Sequence, residues 1–290
     1  ENYCCVDNVL FSKDMSRLVF CSNQKVGSYT VPDSVTVIEN SAFYYCTGLH
    51  SITIPDSVTE IGDDAFNQCG LREMTLPAGL TRIGENLFWS NFNLTRVTIP
   101  EGVVSIGSYA FTNCDRLSDL RLPGGLETVG EYAFSGCCSL EGVVLPAGMK
   151  TVGPYAFSDC QALEEVVISG GDTAIDAAAF SGCAVLTVLY YGGSDEQWTR
   201  WLAINSQDDW HPLADAQVIT GFAVGNLNGQ GEEPDAADVQ CLYEYLATGE
   251  MTGRYKDSPM AFEAAANVNG VGGVDVYDLQ RLYERAAKIA

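Results

Sequence analysis

Positive charge is scarce in this chain. Only 15 of its 290 residues are lysine or arginine, against 38 aspartates and glutamates, and the net charge is −23. Nucleic-acid binding needs clustered cations that displace counterions from phosphate, so that class is excluded. An anionic membrane surface repels the chain for the same reason. No run of eighteen apolar residues occurs, which leaves no candidate for membrane insertion. No charged-then-apolar leader opens the chain, and a secreted form is expected to have lost one. Histidine is limited to His50 and His211. Neither sits in a Ser/His/Asp or Cys/His arrangement. P-loop, GxSxG and HExxH motifs are missing, and the lack of a CxxC pair leaves a zinc site unsupported. Carboxylate pairs for glycoside hydrolysis need a cleft, which a polar-faced repeat array does not obviously supply. A non-catalytic protein is expected.

What is present is repetition. An AF or LF pair recurs with phenylalanine at 43, 66, 88, 111, 134, 157 and 180. Proline keeps the same beat at 32, 55, 77, 100, 123 and 146, and Ser169 takes the next slot. One unit reads LHSITIPDSVTEIGDDAFNQC. Its L-x-x-I-x-I-P segment predicts a short strand with Ile52 and Ile54 inward and Ser51 and Thr53 outward. Pro55, which has no N–H, ends the ladder. Val58, Ile61, Ala65 and Phe66 return to the core, and Cys69 closes the turn. One unit cannot bury its own apolar face, whereas stacked units can. A one-residue deletion falls in the loop FNQCGL. Most of the 11 cysteines occupy one repeat position (Cys46, Cys69, Cys114, Cys137, Cys160, Cys183). They read as reduced, buried packing residues rather than a disulfide framework. Asn91 takes the cysteine slot once, so the slot accepts a polar side chain.

Both ends read as caps. Val9–Phe11, a polar turn over 12–16 and Arg17–Phe20 form a predicted hairpin. Past the last unit, Ser194 with Gln197 has capping-box spacing, which predicts a helix with Trp198, Trp201 and Leu202 on one face. The IP-x-x-V-x-x-I-x-x-x-AF-x-x-C unit and the YYGGSDEQW ending resemble the BspA-type leucine-rich repeat family, over roughly residues 1–219. The resemblance implies a right-handed solenoid used on bacterial surfaces for adhesion and protein binding. The outward strand rows offer a ligand face, with Arg96 and Arg121 in a polar half and Val144, Val167, Val188 and Tyr190 in an apolar half. An exposed apolar patch often marks an interface. The competing expectation is that the tryptophan lid covers it.

From Gly221 a different symmetry begins. DVQCLYEYLA at 238–247 matches DLQRLYERAA at 278–287, each preceded by an N-x-N-G-x-G loop. Calcium takes six or more oxygens, from loop positions 1, 3, 5, 7, 9 and 12, with glycine at 6. The first loop offers Asn226, Asn228, Gln230, a carbonyl near Glu232, Asp235 and Asp238. The second offers Asn267, Asn269, Val271, the Gly273 carbonyl, Asp275 and Asp278. Val271 lends no side-chain oxygen, and asparagine replaces aspartate at position 1. Two calcium sites of reduced affinity are expected, against vestigial loops held by hydrogen bonds. The duplicated loop-helix resembles a dockerin, with an ordinary EF-hand pair as rival. Aspartate at position 12, and no evident helix before Asn226, favour the former. The resemblance implies docking onto a cohesin module of a scaffoldin or cell-surface protein, through Leu242, Tyr243, Glu244, Val276, Tyr277, Arg281, Tyr283 and Glu284.

The expected architecture is therefore α+β. A leucine-rich-repeat solenoid spans 1–219, with a hairpin cap at 1–30 and a C-terminal cap at 187–219. A small all-α dockerin with two EF-hand-like calcium loops spans 220–290. The expected protein is extracellular, attached to a cellulosome or to the cell surface of an anaerobic bacterium, and its repeat domain binds a ligand the sequence does not name. The alternative is an enzyme or enzyme inhibitor delivered to a plant-polysaccharide-degrading complex.

Overall fold

In most units a proline ends one strand, and a glycine that follows the isoleucine or valine ends the next. The computed structural model describes residues 2–205 and 216–220, with 241, 265 and 266. Strands and helix are numbered in chain order. β1 (Tyr3–Val6), β2 (Val9–Ser12) and β3 (Arg17–Cys21) form an antiparallel N-terminal cap. The predicted hairpin is β2–β3. β1 is an addition with a mostly exposed pattern, so it carried no periodic apolar signal.

Two parallel ladders follow. The strand before each proline builds the first: β4 (Gly27–Thr30), β6 (Leu49–Thr53), β8 (Glu73–Thr75), β10 (Arg96–Thr98), β12 (Asp119–Leu120), β14 (Gly142–Leu145), β16 (Glu165–Ile168) and β18 (Val188–Tyr191). β19 (Gln217–Thr220) adds to it in parallel with β18. The second ladder was not anticipated, because each of its strands is two residues long. It comprises β5 (Val37–Ile38) and β7 (Glu60–Ile61), then, after a break in pairing, β9 (Arg82–Ile83), β11 (Ser105–Ile106), β13 (Thr128–Val129), β15 (Thr151–Val152) and β17 (Ala174–Ile175). β3 pairs in parallel with β5 and so joins the cap to this ladder. The first ladder is interrupted between β6 and β8, beside the deletion in FNQCGL, and again between β12 and β14.

The AF stretch forms no strand, yet its alternate residues still bond to the next coil. Tyr109 N donates to Glu131 O (2.9 Å), Phe111 N to Ala133 O (2.7 Å) and Asn113 N to Ser135 O (2.8 Å). Left-handed backbone at Tyr109 and Asn113, both with φ 58, turns these amides along the solenoid axis. Inside, the seven repeat phenylalanines are buried. Their rings stack with centroids 5.0–5.7 Å apart. Ile52, Ile54, Val58, Ile61, Ala65 and Cys69 point inward as expected, while Ser51 and Thr53 are exposed. Glycine recurs just ahead of the AF pair because the coils meet there backbone to backbone. A Cβ on Gly130 would stand 2.6 Å from Ser108 N.

α1 (Asp195–Asn205) closes the far end. Its capping box is formed: Ser194 N donates to Gln197 Oε1 (2.8 Å) and Gln197 N to Ser194 Oγ (3.2 Å). Trp198 packs against Tyr191 and stacks on Trp201, with centroids 5.3 and 5.0 Å apart. Trp201 Nε1 donates to Ile175 O (3.1 Å). Of the C-terminal region only Cys241, Ala265 and Ala266 are described, all three helical. Both alanines are buried.

Candidate binding surface

The outward row of the first ladder runs in register. Glu73, Arg96 and Asp119 are consecutive rungs, as are Thr75 and Thr98. Along β6, β8 and β10 the burial alternates, so that Ser51, Thr53, Glu73, Thr75, Arg96 and Thr98 are exposed while their neighbours Ile52, Met74 and Val97 are buried. Arg96 Nε lies 2.6 Å from Asp119 Oδ2. Both side chains are well exposed, so the pair orients the guanidinium more than it stabilises the fold. Arg121 is exposed one position beyond the last paired rung. This half of the face is polar, open and flat, with donors and acceptors at strand spacing.

The apolar half differs from expectation. Val167 is fully buried and Tyr190 is 7% exposed. Val144 and Val188 are half-buried. These residues do not form an open ligand face. Within the described part of the C-terminal cap, Trp198 packs on Tyr191, which belongs to the core side. The sequences of these strands match their burial. GVVL, EVVI and VLYY are apolar at consecutive positions rather than alternate ones. Parallel strands buried on both faces have such sequences.

The cysteine slot also has a function beyond filling space. Cys69, Cys114, Cys137, Cys160 and Cys183 each donate from Sγ to the phenylalanine carbonyl 26 residues earlier, at 3.0–3.4 Å. Asn91 reproduces this bond with Nδ2, 2.8 Å from Phe66 O, as a slot that accepts a polar group should. His50 is exposed on β6, its ring Nδ1 3.3 Å from Gly70 O. The nearby Cys46 thiol turns to the Cys21 and Ser22 carbonyls instead. His211 lies outside the described residues, as do both proposed calcium loops and every proposed cohesin-contact residue.

A second surface was not anticipated. Tyr109, Tyr132 and Tyr155 stack one on the next, with centroids 5.1 and 4.8 Å apart and planes 10° from parallel. The signal was in the sequence: a tyrosine before three successive AF pairs, at the repeat period.

Two ladders of short parallel strands around a phenylalanine spine define a leucine-rich-repeat β-solenoid. The model of the BspA type leucine rich repeat region matches in 6 copies, over residues 13–101 and 81–199. The chain belongs to that family. A leucine-rich repeat protein from Eubacterium ventriosum is 28% identical, covering 62% of this chain and 50% of its own, with a TM-score of 0.56. This chain thus spans half of that protein's length. The pneumococcal vaccine antigen PcpA is 20% identical, covering 76% of this chain and 48% of its own, with a TM-score of 0.50, and shares the fold. A leucine rich cell surface protein from Faecalibacterium prausnitzii is 27% identical, with 64% of each chain covered and a TM-score of 0.36. No curated protein matches the chain.

Proposed function

We propose that this is a non-catalytic binding protein of the bacterial exterior, with the solenoid as its ligand-binding part. The observation that carries the reading is the open polar strand face, in register from Glu73 through Arg96 to Asp119 and flanked by the exposed Ser51, Thr53 and Arg121. Stacked repeats offer such a face to a protein ligand without a cleft, because the ladder holds the backbone rigid and leaves only side-chain ordering as an entropic cost of binding. Family membership supports the extracellular placement. Among the described residues, no helix is long and apolar enough to cross a membrane.

The C-terminal region is proposed as a dockerin-like module that joins the solenoid to a cohesin on a scaffoldin or cell-surface protein. The support is its internal symmetry, with two N-x-N-G-x-G loops each followed by a matching segment. The donors these loops offer are oxygens alone, from amides, carbonyls and carboxylates. That set suits a hard cation such as calcium and not a thiophilic metal. Asn226, Asn228, Asp235 and Asp238 would hold one ion, and Asn267, Asn269, Asp275 and Asp278 the other. The ion would supply no chemistry beyond tying each loop to its helix. Calorimetry on the intact chain tests this. Calcium is expected to bind with measurable heat, to raise the melting temperature and to be required for capture by a cohesin panel. No heat and no change on chelation removes the metal, and capture that persists in chelator removes its role in docking.

A further inference from the structure

The stretch from each coil's pre-AF glycine position to its cysteine slot has an unusual charge pattern. ENSAFYYC, GDDAFNQC, GENLFWSN, GSYAFTNC, GEYAFSGC, GPYAFSDC and DAAAFSGC contain no lysine or arginine. Six of the seven carry at least one carboxylate. Near the N-terminal end, Arg17 and Arg82 reach in to pair with Glu39 and Asp63. Further along, Glu131 and Asp159 make no ion pair among the described residues. The tyrosine ladder stands beside these two acids.

The backbone does not ask for tyrosine there. Tyr109, Tyr132 and Tyr155 have φ of 58, 53 and 55, a left-handed conformation that bulky side chains rarely adopt. In other coils the same slot holds Ser41, Asp64 and Asn86, with φ of 55, 60 and 52. Asparagine and aspartate tolerate this conformation best. Nor does the core require the rings, since the phenylalanine spine already fills it. Tyr109 is 37% and Tyr155 38% exposed. A local choice that opposes backbone preference, repeated three times and left at the surface, points to a use outside the fold.

We propose that this tyrosine ladder, with Glu131 and Asp159 at its margin, docks an arginine- or lysine-rich segment of a partner protein. The carboxylates accept guanidinium or ammonium protons, and the phenol oxygens add further acceptors. The neighbouring slots hold Asn86 and Ala178, so the stack ends at Tyr109 and Tyr155, whose partly exposed rings offer a cation an aromatic surface. Burial beside the other two tyrosines and the two acids raises the Tyr132 pKa. The net charge of −23 concentrates cations around the whole molecule, while the ladder supplies the local fit. A sugar platform needs open ring faces, and the middle ring has none. The strand-face reading is independent of this surface.

The test uses the intact chain and a fluorescent arginine- and lysine-rich peptide, with glutamate-rich and uncharged peptides of equal length as controls. Anisotropy gives Kd for the parent, for Tyr109→Asn/Tyr132→Asn/Tyr155→Asn, for Glu131→Gln/Asp159→Asn, and for Glu73→Gln/Asp119→Asn on the strand face. The tyrosine variant keeps the net charge, and its slot already holds asparagine at Asn86. Expected are at least a tenfold weakening in the first two variants and less than a twofold change in the third. Independently of any variant, the peptide is expected to protect Tyr109 and Tyr155 of the parent from nitration, read by mass spectrometry. Equal weakening by the strand-face variant reduces the effect to diffuse charge and overturns the proposal. So does an unprotected ladder, a parent that does not bind, or a ladder that binds a neutral oligosaccharide instead.

Discussion

Asn91 occupies a slot that its neighbours give to cysteine, and its position shows what the slot demands. Its Nδ2 meets the carbonyls of Phe66 and Phe88, but its Oδ1 is buried without a partner. Cysteine keeps the donor and leaves no orphan acceptor. Asn91→Cys is therefore expected to raise stability by about 1 kcal/mol, read as a higher urea midpoint under reducing conditions. The thiols carry a pH dependence as well. Burial pushes Cys69 up to about 12 and holds Cys114 and Cys137 above the ordinary thiol range. Unfolded, the same thiols release their protons near pH ~8.5. Above that value the unfolded chain holds fewer protons than the folded one, so stability falls as pH rises. The melting temperature is expected to drop between pH 8 and 10 with reductant present. The fall should be shallower in Cys114→Ala/Cys137→Ala measured against its own value at pH 7.

At the scale of one coil, the phenylalanine ladder is what turns separate units into a single cooperative body. Phe134 touches its counterparts in both adjacent coils, with centroids 5.0 and 5.1 Å away. Phe134→Ala removes two stacks and opens a cavity in an interior that cannot collapse without moving both ladders. A loss of roughly 3–5 kcal/mol is expected, with the denaturation curve broadening or splitting as the two ends of the solenoid uncouple. The capping box of α1 was readable from Ser194 and Gln197 because a cap is a local arrangement. The two-residue strands of the second ladder were not, since two residues carry no period. They exist because the coil before and the coil after supply their partners.

Across the whole molecule, the first ladder changes character along its length, from alternating strands with one solvated face to strands apolar on both. Val167 marks the second kind. Val167→Asp is expected to cost more than about 3 kcal/mol, because it buries an unpaired charge. Thr75→Asp, an outward position on an alternating strand, should change stability by no more than ~0.5 kcal/mol. Melting curves of the two variants separate the cases. The phase of the repeat, the inward residues, the cap helix and the ladder's register were all legible in the sequence. Each unit has an apolar face it cannot bury alone, so stacking in phase is the only economical solution. Which outward residues meet solvent was decided by tertiary structure. One coil's pattern does not reveal whether something covers its outer face, as Val167 and Tyr190 show. Nor does it reveal that three tyrosines, 23 residues apart, will lie ring upon ring, because that contact exists only once neighbouring coils stand about 5 Å apart.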